Sequence, residues 1–351
     1  MTRRRIAWIG CGRHAEQMLL PQLMRHDIEL VGVCDLDLEA AQRIGRRYGV
    51  PHITSDHREL LDLPGLDVVG MAAGPVAHRD LSIEALERGC HVFMEKPCGA
   101  SAADAQAIAD AAKRARRTVG VGFMKRYSTA NRMAYNVVKS PEFGPVAGFF
   151  GEYMTAPTYF AGSVDYSNFY LHHCVHYMDL VRYFVAPVEQ VTVFRHEAAP
   201  GKLLLHVHFG FENGAIGTVV LGTLQSRGTP MERLQIMGDH RRVEVNGVIE
   251  VQYFRNPPFK ADDAAAGLAD SIDTLSWRPN FTAAANEDFK GYNALFASFF
   301  SSLDGASTDL PTIEDGVRAM RVLEAMVAGV GRPGEAVQVL KEPVRAWLTK
   351  D

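Results

Sequence analysis

The sequence predicts an α/β domain on a doubly wound parallel sheet, followed by an α+β domain on an antiparallel sheet. Three observations carry this. Strand-like and helix-like segments alternate through the first third of the chain, as they do where helices cover both faces of a parallel sheet. A glycine-rich turn joins the first strand to the first helix. Beyond residue 145, short strand-like runs follow one another, with an Asn-Gly hairpin signal at Asn213-Gly214. The chain has 351 residues, which at roughly 150 per domain predicts two domains, placed at 1–123 and 124–351.

The first strand is read at Arg5 to Ile9, followed at once by Gly10-Cys11-Gly12-Arg13-His14-Ala15 and a helical pattern to about Arg25. Leu30 to Cys34 is a second strand, ending at Asp35, twenty positions after Ala15. Strand, glycine turn, helix, strand and acid together describe a dinucleotide site. Gly10 permits the tight turn, Gly12 lets a pyrophosphate approach the backbone, and Ala15 lets helix and sheet pack closely. Asp35 is placed to accept hydrogen bonds from an adenosine ribose and to repel a 2′-phosphate, so NAD is favoured over NADP. Arg43, on the next helix, is a cation that softens this preference.

Val68 to Met71 is a third strand with the loop Ala72-Ala73-Gly74-Pro75 at its carboxyl end, and His78 to Arg88 a helix. His91 to Met94, Ala102 to Ala115 and Thr118 to Gly122 continue the alternation as strand, helix and strand. Ligands of such sheets bind at the carboxyl ends of the strands. The residues there are Ala73, Gly74, Pro75, His78, Glu95 and Lys96, and the Lys96 ammonium can stabilise a developing alkoxide.

The residues Gly10 to Ala15, Gly74-Pro75 with His78, Glu95-Lys96-Pro97, Gly122-Phe123-Met124-Lys125-Arg126-Tyr127 and His176-Tyr177-Met178-Asp179 resemble the family of glucose-fructose oxidoreductase, inositol dehydrogenase and their sugar-dehydrogenase relatives. The resemblance implies a Rossmann domain, then a domain built on a large open, mostly antiparallel sheet. It implies NAD(P)-linked oxidation or reduction of a ring hydroxyl or ketone of a sugar, sugar derivative or cyclitol. By correspondence Lys96 and His176 are catalytic. The cofactor contacts are Gly10, Gly12, Arg13, His14, Ala15, Asp35, Ala73, Gly74, Pro75, His78, Glu95 and Lys96. The substrate contacts are Lys96, Arg126, Tyr159 and Asp179. Many relatives carry an Asp four residues before the catalytic His, usually with a Gly between. Here His172 and Cys174 stand in that stretch, and His172 is assigned to proton relay or substrate contact.

In the second half, Ser128 to Ser140 is read as a helix and Val146 to Tyr153 as a strand. Tyr159 to Phe169 is a polar aromatic loop suited to a sugar. Tyr170 to Phe184 is read as a helix on which His172 and His176 share a face with Asp179 one turn on. Three readings of that face stand: a substrate pocket, a metal site of His172, His176 and Asp179, or core histidines with satisfied hydrogen bonds. Lys96 and the glycine turn favour the first, and no metal is expected. Strands follow at Val191–His196, Leu203–Phe211, Ala215–Leu224, Arg233–Met237, Arg241–Val245 and Val248–Tyr253. Asn256 to Asn280 is an irregular lobe, and Asn286–Leu303 and Glu314–Val330 are helices. The sheet's other face is expected to meet a second subunit as a homodimer or homotetramer.

Composition narrows the function classes. Lys and Arg number 37 against 41 Asp and Glu, a net charge of −4, with 47% hydrophobic and 22% charged residues. No net positive field favours nucleic acid, no apolar run suits a membrane span, and the basic start does not read as a signal peptide. Five cysteines, Cys11, Cys34, Cys90, Cys98 and Cys174, lack a disulfide framework and predict a cytoplasmic home. Four lie in or beside elements of the predicted cofactor site, where an exposed thiol would make an enzyme sensitive to alkylation. Arg126, Arg227, Arg233 and Arg255 are candidate phosphate contacts for a nucleotide sugar. Two other functions fit the same pattern: a glycosidase that uses NAD in a transient redox step, and a non-catalytic nucleotide- or sugar-sensing regulator. Lys96 and His176 together weigh against the regulator.

Overall fold

The computed structural model describes residues 3–157, 166–226, 231–255, 274–279 and 288–339. Contacts divide the chain into two compact units. The first comprises residues up to 124 and Tyr292–Arg321; the second comprises Lys125–Gly291 and the segment from Val322.

In the first unit β1 (Arg4–Ile9), β2 (Ile28–Cys34), β3 (His52–Thr54), β4 (Val68–Met71), β5 (His91–Met94) and β6 (Val119–Val121) form one sheet in the order β3-β2-β1-β4-β5-β6. Each pair is parallel. Such strands are apolar throughout because both faces are covered. Ile6, Ala7, Trp8 and Ile9 are buried, as are all of Val68 to Met71. The connections are a π-helical turn (Ala15–Leu19) leading into α1 (Leu20–Leu23), then α2 (Leu38–Tyr48), α3 (His57–Leu61), α4 (Pro75–Glu87) and α5 (Ala102–Ala115).

Local chemistry sets the helix ends. The Asp37 side chain accepts from Glu39 N–H at the start of α2, Asp56 does so from Arg58 N–H at α3, and Ser101 from Asp104 N–H at α5. Pro75 occupies the first position of α4, where its missing N–H costs nothing. That helix therefore begins three residues before the sequence reading placed it. β3 and α3, not singled out in the sequence, are only three and five residues long. The unit is completed by α8 (Tyr292–Leu303) and residues up to 321, with Val121 N–H donating to the Pro311 carbonyl (2.8 Å) beside β6. Phe93 of β5 packs on Phe296 and Phe299 of α8, with ring centroids 4.5 and 5.5 Å apart.

The second unit holds a nine-stranded sheet. Its strands are β7 (Gly148–Met154), β8 (Val188–Ala199), β9 (Lys202–Phe211), β10 (Ile216–Gly222), β11 (Met231–Met237), β12 (Arg242–Asn246), β13 (Glu250–Phe254), β14 (Thr274–Trp277) and β15 (Ala336–Gln338), in the order β14-β13-β12-β11-β7-β10-β9-β8-β15. All pairings are antiparallel except β7 with β10. Gly214, at φ 82°, makes the β9–β10 turn, and Asn213 Oδ1 accepts from Ala215 N–H. On β9, Leu203, Leu205, Val207, Phe209 and Phe211 are buried while Lys202 and His206 are exposed, so one face of the sheet is covered and the other open.

On the covered side lie α6 (Thr129–Val138) and α7 (Val175–Phe184), the latter entered through a π-helical segment (Tyr166–Cys174). A single regular helix over Tyr170 to Phe184 is therefore not what forms. The wider winding before Cys174 takes His172 out of strict i, i+4 register with His176. The last helix is α9 (Ile313–Val330). The expected irregular lobe Asn256 to Asn280 lies largely outside the described residues, and where it is described Thr274–Trp277 is instead strand β14, paired with β13. Among the described residues no helix is long and apolar enough to cross a membrane.

Candidate active site

In the first unit the carboxyl ends of β1, β2, β4 and β5 bring the predicted cofactor residues together. β1 ends at Ile9, and Gly10 turns the chain at φ 92° with its N–H on the Cys34 carbonyl (2.8 Å). A Cβ on Gly10 would lie 2.3 Å from the Ala72 carbonyl oxygen, so no other residue fits. A Cβ on Gly12 or on Gly74 would meet nothing within 4 Å. Space is thus left open beside the turn and at the start of α4. Ala15 is buried at the head of the π-helical turn, while Arg13 and His14 are exposed. His14 sets its ring edge against Tyr292 (5.8 Å) and its Nε2 3.8 Å from Glu95 Oε2.

Asp35 follows β2 with both oxygens engaged. Cys11 N–H donates to Oδ2 (2.6 Å) and Asp37 N–H to Oδ1 (2.9 Å). Each carboxylate oxygen keeps a second lone pair, so a ribose hydroxyl can still be accepted. At the ends of β4 and β5, His78 ties two loops. Ala73 N–H donates to Nε2 (3.0 Å), so the proton sits on Nδ1 and goes to the Pro97 carbonyl (2.8 Å). The ring is fully buried. Its visible work is to fix Ala73 and the Glu95-Lys96-Pro97 loop against each other.

Glu95 is 4% exposed, and its N–H donates to the Met71 carbonyl. Its Oε1 is buried without a hydrogen-bond partner among the described residues. A buried carboxylate oxygen left so is costly unless a ligand completes it. Half-buried Lys96 follows. The open space at Gly12 and Gly74, the acid at the end of β2 and the incomplete Glu95 all fit NAD.

In the second unit, α7 carries His176 (7% exposed) and Asp179 (1% exposed). Asp179 and Arg126, both read from the sequence as substrate contacts, also bond each other. Arg126 Nε donates to Asp179 Oδ2 (2.7 Å) and a second guanidinium nitrogen to Oδ1, with the guanidinium over the Tyr183 ring at 4.9 Å. This two-point, buried pair ties the Asp179 carboxylate to a cation. Among the described residues no three His, Cys, Asp or Glu side chains converge on a metal position.

Beside the pair lies a second cluster. Lys125 Nζ bonds Glu232 and lies 5.5 and 5.7 Å from the centroids of Tyr153 and Tyr177. The Tyr153 hydroxyl bonds His173 Nδ1 (2.7 Å). Burial, with Glu232 nearby, pushes the Tyr177 hydroxyl well up, so it stays protonated. Sequence reasoning passed over Lys125, Tyr153, His173 and Glu232. Lys125 stood inside a quoted motif, but its partner lies 107 positions away. His172 is half-buried. Tyr159 and Arg227 lie outside the described residues. Arg233 sits 3.7 Å from Glu152.

The cysteines correct an expectation. All five are buried and in no disulfide. Burial first, then the neighbouring Asp35, pushes the Cys11 thiol up to about 12; burial likewise takes Cys34 and Cys90 to about 11. Fully buried Cys174 is raised well above its ordinary value for the same reason. The cofactor-side thiols are therefore neither exposed nor reactive.

Residues 4–123 match the NAD-binding Rossmann fold of the GFO/IDH/MocA oxidoreductase family, and residues 167–332 match that family's C-terminal α/β domain. The chain belongs to this family. Inositol 2-dehydrogenase of Salmonella typhimurium is 32% identical over 133 residues, 37% of this chain and 40% of the relative. D-glucoside 3-dehydrogenase of Escherichia coli is 29% identical over 143 residues, 40% of this chain and 41% of the relative. These matches span about two fifths of the relatives' lengths. The fold is that of the WlbA dehydrogenase from Bordetella pertussis in complex with NADH and UDP-GlcNAcA. That similarity has a TM-score of 0.80 at 19% identity, over 97% of this chain and 99% of that one.

Proposed function

We propose that this family member is an NAD-dependent dehydrogenase or ketoreductase acting on a ring hydroxyl or ketone of a sugar, sugar derivative or cyclitol. The observation that carries this is Lys96 at the carboxyl end of β5, directly after a buried Glu95 with an uncompleted oxygen. The relatives' names support it, since inositol and glucoside dehydrogenases oxidise polyol and sugar hydroxyls.

When bound, NAD supplies the hydride acceptor. The backbone of Gly10 to Ala15 would hold its pyrophosphate, Asp35 its adenosine ribose, and Ala73 to Pro75 with Glu95 its other end. The preference is for NAD over NADP. Lys96 donates to the reacting oxygen and holds its developing negative charge. His176 takes the hydroxyl proton, and His172 relays it or touches the substrate. The Arg126–Asp179 pair positions α7, and thereby His176, and stays with Lys96 among the candidate substrate contacts.

We also infer a homodimer or homotetramer through the open face of the nine-stranded sheet, where Phe194 is 51% and Ile216 71% exposed. Five buried thiols support a cytoplasmic home.

The test is a screen of sugars, sugar phosphates, nucleotide sugars and cyclitols with NAD, read at the NADH absorbance band. NADH accumulating in step with one substrate class is the expected result. Bond cleavage without NADH would instead mark a glycosidase with transient redox chemistry. Binding without turnover across the panel would mark a sensor.

A further inference from the structure

We propose that Glu16 sets the cofactor preference of this chain. By holding Arg43 and Arg47 it denies the ribose site a counter-ion for a 2′-phosphate. The inference rests on the glycine turn and Asp35 being the NAD site, and goes beyond it by assigning a discriminating residue outside both.

Glu16 is the residue after Ala15, with its N–H on the Gly12 carbonyl (3.0 Å). Its carboxylate receives Arg43 Nε at 3.2 Å and lies 3.8 Å from an Arg47 guanidinium nitrogen. Glu16 is 23% exposed, against 51% and 52% for the arginines. The anchored partner is thus the acid, and the cations fold onto it. Cys11 N–H holds Asp35, and Arg43 and Glu16 act on the Cys11 thiol with opposite sign. Glu16 thus follows the turn that Cys11 ties to Asp35, and Arg43 lies on α2, the helix that begins just after Asp35.

The chain after β2 adds no cation of its own before Arg43. It reads Asp35, Leu36, Asp37, Leu38, Glu39, Ala40, Ala41, Gln42. Leu36, next to Asp35, is 94% exposed and offers no charge. A 2′-phosphate brings about two negative charges. With Arg43 and Arg47 drawn to Glu16, it would meet Asp35 with those two charges offset. Asp35 repels that phosphate, and Glu16 removes the cations that would compensate.

The experiment measures dissociation constants of NADH and NADPH for the full chain at low ionic strength, by nicotinamide fluorescence. Glu16→Gln should shift the NADPH-to-NADH affinity ratio toward NADPH on the order of tenfold, because a guanidinium close to the site is released. Glu16→Asp, whose shorter side chain withdraws from Arg43, should shift it the same way by less and guards against a folding defect. Adding Arg43→Gln and Arg47→Gln to Glu16→Gln should erase the gain. An unchanged ratio in both single variants, with NADH still bound, overturns the proposal. So does a gain that survives removal of both arginines. Failure of the unaltered chain to bind either nucleotide would instead overturn the cofactor site itself.

Discussion

Lys96 and the cysteines make opposite predictions for single residues. Lys96→Ala should lower turnover about a thousandfold, as loss of one donor to a developing oxyanion does. NADH affinity should stay near that of the unaltered chain, and retained turnover would reject the catalytic role. Alkylation by iodoacetamide at about pH 8 should leave activity intact, because buried thiols with raised pKa values present almost no thiolate; loss of activity in step with labelling would contradict this. The glycine turn and the acid after β2 were legible in the sequence because Gly10, Gly12, Ala15 and Asp35 are spaced by the backbone path of one strand–turn–helix–strand unit. The states of side chains were not. Nothing local announces that Arg126 and Asp179, 53 positions apart, satisfy each other, or that Lys125 finds Glu232.

At the level of elements, the Arg126–Asp179 pair fixes α7 to the turn before α6. Asp179→Asn removes one charge from a buried pair and should destabilise the folded chain by about 3–5 kcal/mol, measured as a fall in the urea midpoint. A loss under about 1 kcal/mol would show the pair to be solvated and of little worth. Gly10→Ala should abolish NADH binding, since φ 92° and a 2.3 Å approach to the Ala72 carbonyl leave no place for a methyl group; unaltered affinity would refute the turn's role. Long, periodic elements were readable in advance, as with α5 and strands β7 to β13, whereas the short β14 and β15 were not. The π-helical windings before α1 and α7 were not. Their apolar residues repeat as in an ordinary helix, and the extra residue per turn is absorbed by packing that a sequence pattern does not carry.

For the whole molecule, acid sensitivity follows from histidines of the first unit. Burial lowers the pKa of His26 and of His91 from the ordinary 6.5. The unfolded chain then binds these protons more readily than the folded one. Their contribution is intact above about pH 6.5 and is lost as pH falls through the lower folded values. Urea midpoints between about pH 7.5 and 5.5 should decline, and less steeply in His26→Gln/His91→Gln; an identical slope would assign the decline to other groups. Assembly through the open sheet face should respond to Ile216→Lys, which places a charge at the most exposed of its apolar positions. Sedimentation should report a smaller species, and an unchanged mass would place the contact elsewhere. Finally, Phe93 on β5 and the backbone of β6 find their partners in residues near 296 and 311. On a ribosome, the first strands emerge long before these partners exist. Strands β7 to β14 must all be synthesised before β5 and β6 can meet these partners, so the nascent first unit waits, half-clothed, while the second is made.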